Sequence, residues 1–210
     1  MNSIKFLFYI FIFISFLSSQ LLATVGGEQK VTILGVNDKE DKLFFLVDDY
    51  GGIGGLSRLH YILLKKDPLK AVFASSYYPK GVDVYEDKDV EKFMSRLEKL
   101  KGYLTKAQPI STKKIKFGII ADKAEKIPNT FDDNKTMLEH QTLFKLSYND
   151  GNKSYYGQSI VKHYDYRTTS EIKVQKAYSL KNRKEIVVVV RYLGLPFETG
   201  YTMDNVVILK

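Results

Sequence analysis

The sequence predicts an α+β fold, mainly antiparallel β, in which meander sheets carry one amphipathic helix packed on a face. Three observations carry that prediction. A short strand unit occurs twice: the polar turn Asn37 to Asp41 runs into Leu43 to Gly51, and Lys181 to Glu185 runs into Ile186 to Gly194, the two apolar runs aligning without a gap through the closing glycine. Apolar or alternating segments recur along the chain, separated by the Gly, Pro, Asn and Asp residues that punctuate strands. A single segment, around Val90 to Leu104, has a helical period.

The first 23 residues read as a secretory signal peptide. Lys5 supplies a positive start, Phe6 to Leu17 an apolar stretch, and Ser18 to Ala23 a polar break ending in a small residue, with cleavage expected after Ala23. Residues 24–210 are expected to form one mainly-β domain, periplasmic or secreted. The apolar stretch is marginal against the roughly 20 residues that a bilayer requires, so contact with a membrane is expected only through an uncleaved signal segment. No Cys follows it, which excludes a lipid-anchored start, and with no Cys anywhere the fold must be held by packing and backbone pairing.

After the signal, Val31 to Val36 and Lys42 to Tyr50 are joined by a hairpin-length polar link and should pair antiparallel. The glycines of 51–55 break the pairing and Leu56 to Leu64 resumes it, ending at Lys65-Lys66-Asp67-Pro68. Ala71 to Tyr78 is a weaker strand. In the helical segment Val90, Phe93, Met94, Leu97, Leu100 and Leu104 form one apolar stripe. Asp87, Asp89 and Glu91 favour the positive end of the helix dipole and lysines the other. Lys114 to Ala121 reads as a strand and Asp122 to Thr136 as the longest loop. Thr142 to Tyr148 and Ser154 to Tyr164 form a hairpin through Asn149-Asp150-Gly151-Asn152. Glu171 to Tyr178, Lys184 to Tyr192 and Met203 to Leu209 complete a C-terminal meander. Ile186 to Val190, apolar throughout, reads as a central strand.

These residues and the tail Val187 to Gly200 carry a resemblance. The signal peptide, the unit from Gly35 to Asp48-Asp49-Tyr50-Gly51, the central helix and the Phe197-Glu198-Thr199-Gly200 motif before a last strand resemble a bacterial family of predicted secreted proteins of unknown function. Thr199 is inserted relative to that family's pattern, and the basic pair that follows it there is absent. The resemblance implies export and no reaction. Each strand unit also looks like a single blade of a TolB-type propeller, but two units cannot close a ring.

Composition narrows the function. The chain carries a formal charge of +8, but an exported protein meets an envelope protein or an anionic envelope polymer, so no nucleic acid is expected. Lysine dominates over arginine, which suits a solvated surface better than bidentate phosphate recognition. The Gly51 to Gly55 cluster runs into a strand and lacks the Gly-Lys-Ser/Thr that opens a helix in a phosphate loop. Asp83 to Asp89 lacks the central glycine and closing glutamate of a calcium loop. His60, His140 and His163 have no short metal-ligand spacing and are expected to lie apart as solitary residues, with no metal and no cofactor. No Gly-x-Ser-x-Gly elbow and no thiol is present, so no catalytic residue is assigned. Tyrosines such as Tyr77, Tyr78, Tyr155, Tyr156, Tyr164 and Tyr166 read as sheet stabilisers or a binding row. Asp48, Asp49, Tyr50 and Glu198 stand at strand exits beside glycines, and are the candidate ligand- or cation-binding residues. The expected role is a non-enzymatic binding or interaction module of the envelope, the alternative a periplasmic hydrolase.

Overall fold

In the computed structural model the described residues are 27–49, 56–79, 86–128, 136–165, 171–195 and 201–210, with backbone alone for Asp49 and Leu195. The predicted signal peptide, the glycine cluster, Tyr50 and Glu198 lie outside them.

The apolar runs of the two repeated units become interior strands of two different sheets. The first is β2 (Lys42–Asp49), flanked by β1 (Gln29–Asn37) and β3 (Arg58–Leu63), with β4 (Asp67–Phe73) at the edge. The second is β10 (Ile186–Leu195), between β11 (Tyr201–Leu209) and β9 (Lys173–Leu180), with β5 (Ala107–Ile110) beyond β9. A third sheet is a three-stranded ribbon in the order β6 (Ile115–Pro128), β7 (Thr136–Asn149), β8 (Ser154–Asp165). All neighbouring strands run antiparallel, and one α-helix, α1 (Asp87–Tyr103), with two short 3-10 helices, Ser75–Tyr77 and Thr112–Lys114, completes the elements of the described residues. None of them is a helix long and apolar enough to cross a membrane.

Successive strand residues point to opposite faces, so a strand apolar throughout must have a hydrophobic partner on each side. Val187, Val188, Val189 and Val190 are all 0% exposed. Val187 and Val189 pack with Leu43, Phe45 and Val47 of β2, while Val188 and Val190 pack with Phe144, Leu146 and Val161 of the ribbon. Phe44 points the other way, into Phe93, Leu97 and Leu100 of α1. The layers therefore run helix, first sheet, second sheet, ribbon. Of the predicted helical stripe, Phe93, Leu97, Leu100 and Leu104 are buried and Val90 half-buried, but Met94 is exposed at the stripe's margin.

Two close approaches join the layers, and each uses a glycine. Gly35 sits at a bulge of β1 with φ +143°, and a Cβ there would lie 2.5 Å from the Thr105 carbonyl oxygen. Val36 and Thr105 exchange two backbone hydrogen bonds of 2.9 Å at this point. At the other end a Cβ on Gly157 would meet the Ile208 carbonyl oxygen at 2.5 Å. Beside it Tyr156 and Lys210 exchange two bonds of 2.9 Å, sewing β8 to the end of β11.

The turns of the two repeated units also meet. Arg183 is 11% exposed and reaches Asp41 at 2.5 Å, Glu185 at 3.3 Å and Asp38 at 3.4 Å. Burial works to raise the Asp41 carboxyl, but hydrogen bonds from Arg183 and from the Lys65 backbone N–H outweigh it and hold the group below its ordinary 3.8. A carboxylate depressed on folding contributes stability above its unfolded pKa, and loses it as pH falls through the folded value. Unfolding free energies measured in urea across an acid pH series should therefore decline less steeply below pH 3.8 in Asp41→Asn than in the parent. Superimposable acid limbs would show that the turn contact adds nothing.

Several boundaries differ from the sequence reading, among them the strand expected over Ala71 to Tyr78, which begins earlier as β4, ends at Phe73 and is followed by a 3-10 helix over Ser75–Tyr77. Pro68, expected to close a strand, lies inside β4, which is permitted because it falls in an irregularity of this edge strand, between Asp67 opposite Leu63 and Ala71 opposite Ile62, where the ladder has no partner for it. The short β5 was not predicted; it too contains a proline, Pro109, on an edge. Asp122 to Pro128 and Thr136 to Gln141, expected as loop and its exit, extend β6 and β7. Their residues are largely polar because this end of the ribbon is mostly exposed, and polarity there reflects position rather than absence of pairing.

Candidate functional site

The ribbon's inner face starts apolar and turns polar along its length. On β7, Leu146 and Phe144 are fully buried against β10 and β11, and Thr142 and His140 continue the same face. The register sets His163 of β8 directly opposite His140, and Asp122 of β6 directly opposite Thr142. Asp122 owes its place to an irregularity: β6 carries one extra residue, Ile120, between Ile119 opposite Phe144 and Ala121 opposite Leu143. Unbroken alternation would put Phe117, Ile119 and Ala121 inward and Asp122 outward. The bulge reverses the parity and turns Asp122 in.

The polar residues form a connected set. His140 Nδ1 lies 2.7 Å from Asp122 Oδ2, and His140 Nε2 lies 3.4 Å from Asp165 Oδ2. The second contact lacks hydrogen-bond alignment, so Nε2 is buried without a hydrogen-bond partner. The Thr142 hydroxyl, on a residue 1% exposed, bonds both Asp122 Oδ1 and, at 2.7 Å, His163 Nε2. The two imidazole rings stack 4.8 Å apart and 12° from parallel.

Proton placement follows from donor and acceptor capacity. An ionised carboxylate only accepts, so the single Thr142 hydrogen goes to Asp122, and the threonine oxygen then accepts from His163 Nε2–H. Burial, reinforced by the charge of His140, holds His163 below the usual imidazole value, so the ring is neutral and its Nδ1 carries a bare lone pair. That Nδ1 has no hydrogen-bond partner, on a residue only 6% exposed. His140 is pushed the other way: burial opposes its charge, but Asp122 and then Asp165 outweigh burial and raise it. The Thr142 hydroxyl holds the Asp122 carboxyl below the usual range, against burial and with help from His140. The chain matches no family model, no curated protein and no solved structure. The resemblance carried by the signal segment and the tail thus adds no site residue, and function is argued from this cluster.

The cluster floors an open groove of about 340 Å³, walled by Phe117, Ile119, Glu171 and Ile172. Ile119 is 61% exposed although it shares the core-facing side of β6. A second hollow of about 250 Å³ lies between the first sheet and β11, beside Arg58, His60 and Asp204. Its carboxylate is fully engaged by Arg191 and the Val31 N–H.

The expectation that three histidines lie apart is therefore corrected. His140 and His163 are in contact, because the hairpin register pairs their positions, while His60 stays on the first sheet, stacked on Phe45 at 5.6 Å. Of the residues named at strand exits, Asp48 is half-buried on β2 opposite Lys30, and Asp49 is the last residue of that strand. The Asp49 side chain, Tyr50 and Glu198 fall outside the described residues. Tyr148 and Tyr155 are a cross-strand pair with ring centroids 5.9 Å apart, a sheet contact rather than a free row.

Proposed function

We propose that this protein is an exported, non-enzymatic binding module of the cell envelope, and that it binds through the groove of the β6–β8 ribbon. The observation that carries the reading is the groove itself: an apolar lip at Phe117 and Ile119 beside a polar floor built on paired strands. Exposed apolar side chains next to convergent polar groups are the usual make-up of a recognition surface. A hydrolase is the weaker reading. Among the described residues of the cluster the one hydroxyl is that of Thr142, which is 1% exposed and committed to two hydrogen bonds, so it is not placed to attack a substrate. The envelope partner fits as a protein or polymer with an apolar segment and cationic or metal-carrying chemistry, since Asp122, Asp165 and Glu171 line the groove.

The test is made in intact cells. A photo-crosslinking residue at Ile119 should give discrete adducts in the envelope fraction, and one at Tyr103, 79% exposed on the far helix, should not. Equal adducts from both positions, or none from Ile119, would overturn the groove assignment. Recovery of the chain in the cytosol would overturn export. Turnover of ester, phosphoester or peptide reporters that disappears in His140→Asn would restore the hydrolase.

A further inference from the structure

We propose that Asp122, His140 and His163 form a binding site for a divalent transition-metal ion of the zinc class. The proposal deepens the groove reading and rests on it only for the ion's role, not for its binding. One ligand atom from each of the three residues lies within 4.8 Å of the others. Two imidazoles and a carboxylate are the donor set of three-ligand zinc sites, which leave a further position for water or a bound group. Here all three residues line the groove, from which water or a bound group would reach the ion.

The hydrogen-bond arithmetic gives the site its second, independent support. His163 is held as the Nε2–H tautomer by Thr142, which leaves Nδ1 deprotonated, buried and without a partner. A buried acceptor left unmatched is costly unless something fills it, and a metal ion matches an imidazole lone pair. Thr142 also bonds the Asp122 carboxylate, so one hydroxyl orients two of the three ligands, as outer-shell groups do in metal centres. Entry is open, because the Asp122 side chain is 35% exposed. The three residues stand on three hydrogen-bonded strands, and their backbone positions are fixed.

Binding has a geometric requirement. In-plane lone pairs of two rings only 12° from parallel do not converge on a point, so one imidazole must swing out of the stack as the ion enters. The proton that His140 shares with Asp122 is displaced at the same time, because the ligands must be deprotonated.

The experiment uses the full chain stripped with chelator. Titration with Zn²⁺, and with Co²⁺ for its visible absorption, should saturate at one equivalent. Asp122→Asn, His140→Asn and His163→Asn should each weaken Zn²⁺ at least about tenfold, and Thr142→Val, a positioning change, by about tenfold while leaving the stoichiometry at one. Asp122→Asn is the variant that keeps the claim testable if the buried histidine changes fail to fold, and circular dichroism of each metal-free variant identifies those that do. Absence of stoichiometric saturation, or parental affinity in a folded Asp122→Asn, would overturn the site. Adducts from Ile119 in metal-stripped cells without Zn²⁺ binding would remove the metal alone. Zn²⁺ binding without adducts would remove the groove reading alone.

Discussion

Replacing Asp204 by alanine is expected to destabilise the protein by about 3–5 kcal/mol, the usual loss when one partner of a buried ion pair is removed. The Asp204 side chain is 1% exposed, and it accepts Arg191 Nε at 2.7 Å and Arg191 Nη2 at 3.1 Å from the position directly opposite in the β10–β11 ladder. It also accepts the Val31 backbone N–H at 3.0 Å, so one carboxylate joins an ion pair in the second sheet to a strand of the first. Alanine leaves the guanidinium without its counter-ion and the amide without its acceptor. Urea unfolding should show the midpoint fall with an unchanged slope. The double change Arg191→Met with Asp204→Leu should recover part of the loss but not all of it, because the Val31 N–H still lacks an acceptor and such a group costs about 1–3 kcal/mol. A loss below about 1 kcal/mol in Asp204→Ala would mean that water replaces the carboxylate.

Phe144→Ala should cost a similar amount, about 3–5 kcal/mol, by opening a cavity where the ribbon meets the second sheet. Phe144 is 0% exposed, belongs to the same core as Val188 and Val190, and stacks on Phe117 at 5.3 Å. Thermal unfolding of this variant is best read against Ile160→Ala, whose side chain is 56% exposed and whose loss should stay within about half a kcal/mol. Equal losses in the two would place the ribbon's core contact elsewhere. The two cores share β10, so the transition should remain a single step.

Which parts of this fold were legible follows from what each segment packs against. Val187 to Val190 announced a central strand because two hydrophobic layers leave no position for a polar residue. The stripe from Phe93 to Leu104 announced a helix because only one side of it is covered. Asp122 to Pro128 gave the opposite impression: an exposed edge strand carries lysines and acids, and in sequence those are indistinguishable from a loop. The candidate cluster was half legible. Counting nine residues back from Asn149 and nine forward from Ser154, across the predicted Asp150-Gly151 turn, arrives at His140 and His163, so the hairpin itself contained their pairing. No such count reaches Asp122, since the strand carrying it hid its own irregularity. Nor does sequence reveal that Thr142, an ordinary strand residue, is the hydroxyl between a carboxylate and an imidazole.

The extra residue in β6 has a consequence for how this surface can vary. Ile115 answers to the core, where a change of register would drive an apolar side chain into water, and the residues from Ala121 onward take their facing from the bulge. Ile120 is slack between them. Losing it would still leave Ala121 opposite Leu143 and Asp122 opposite Thr142, whereas in an unbroken strand one lost residue inverts everything beyond it. The outer half of the strand is thereby insulated from the loss of that one residue, since its register and the inward facing of Asp122 would both survive it.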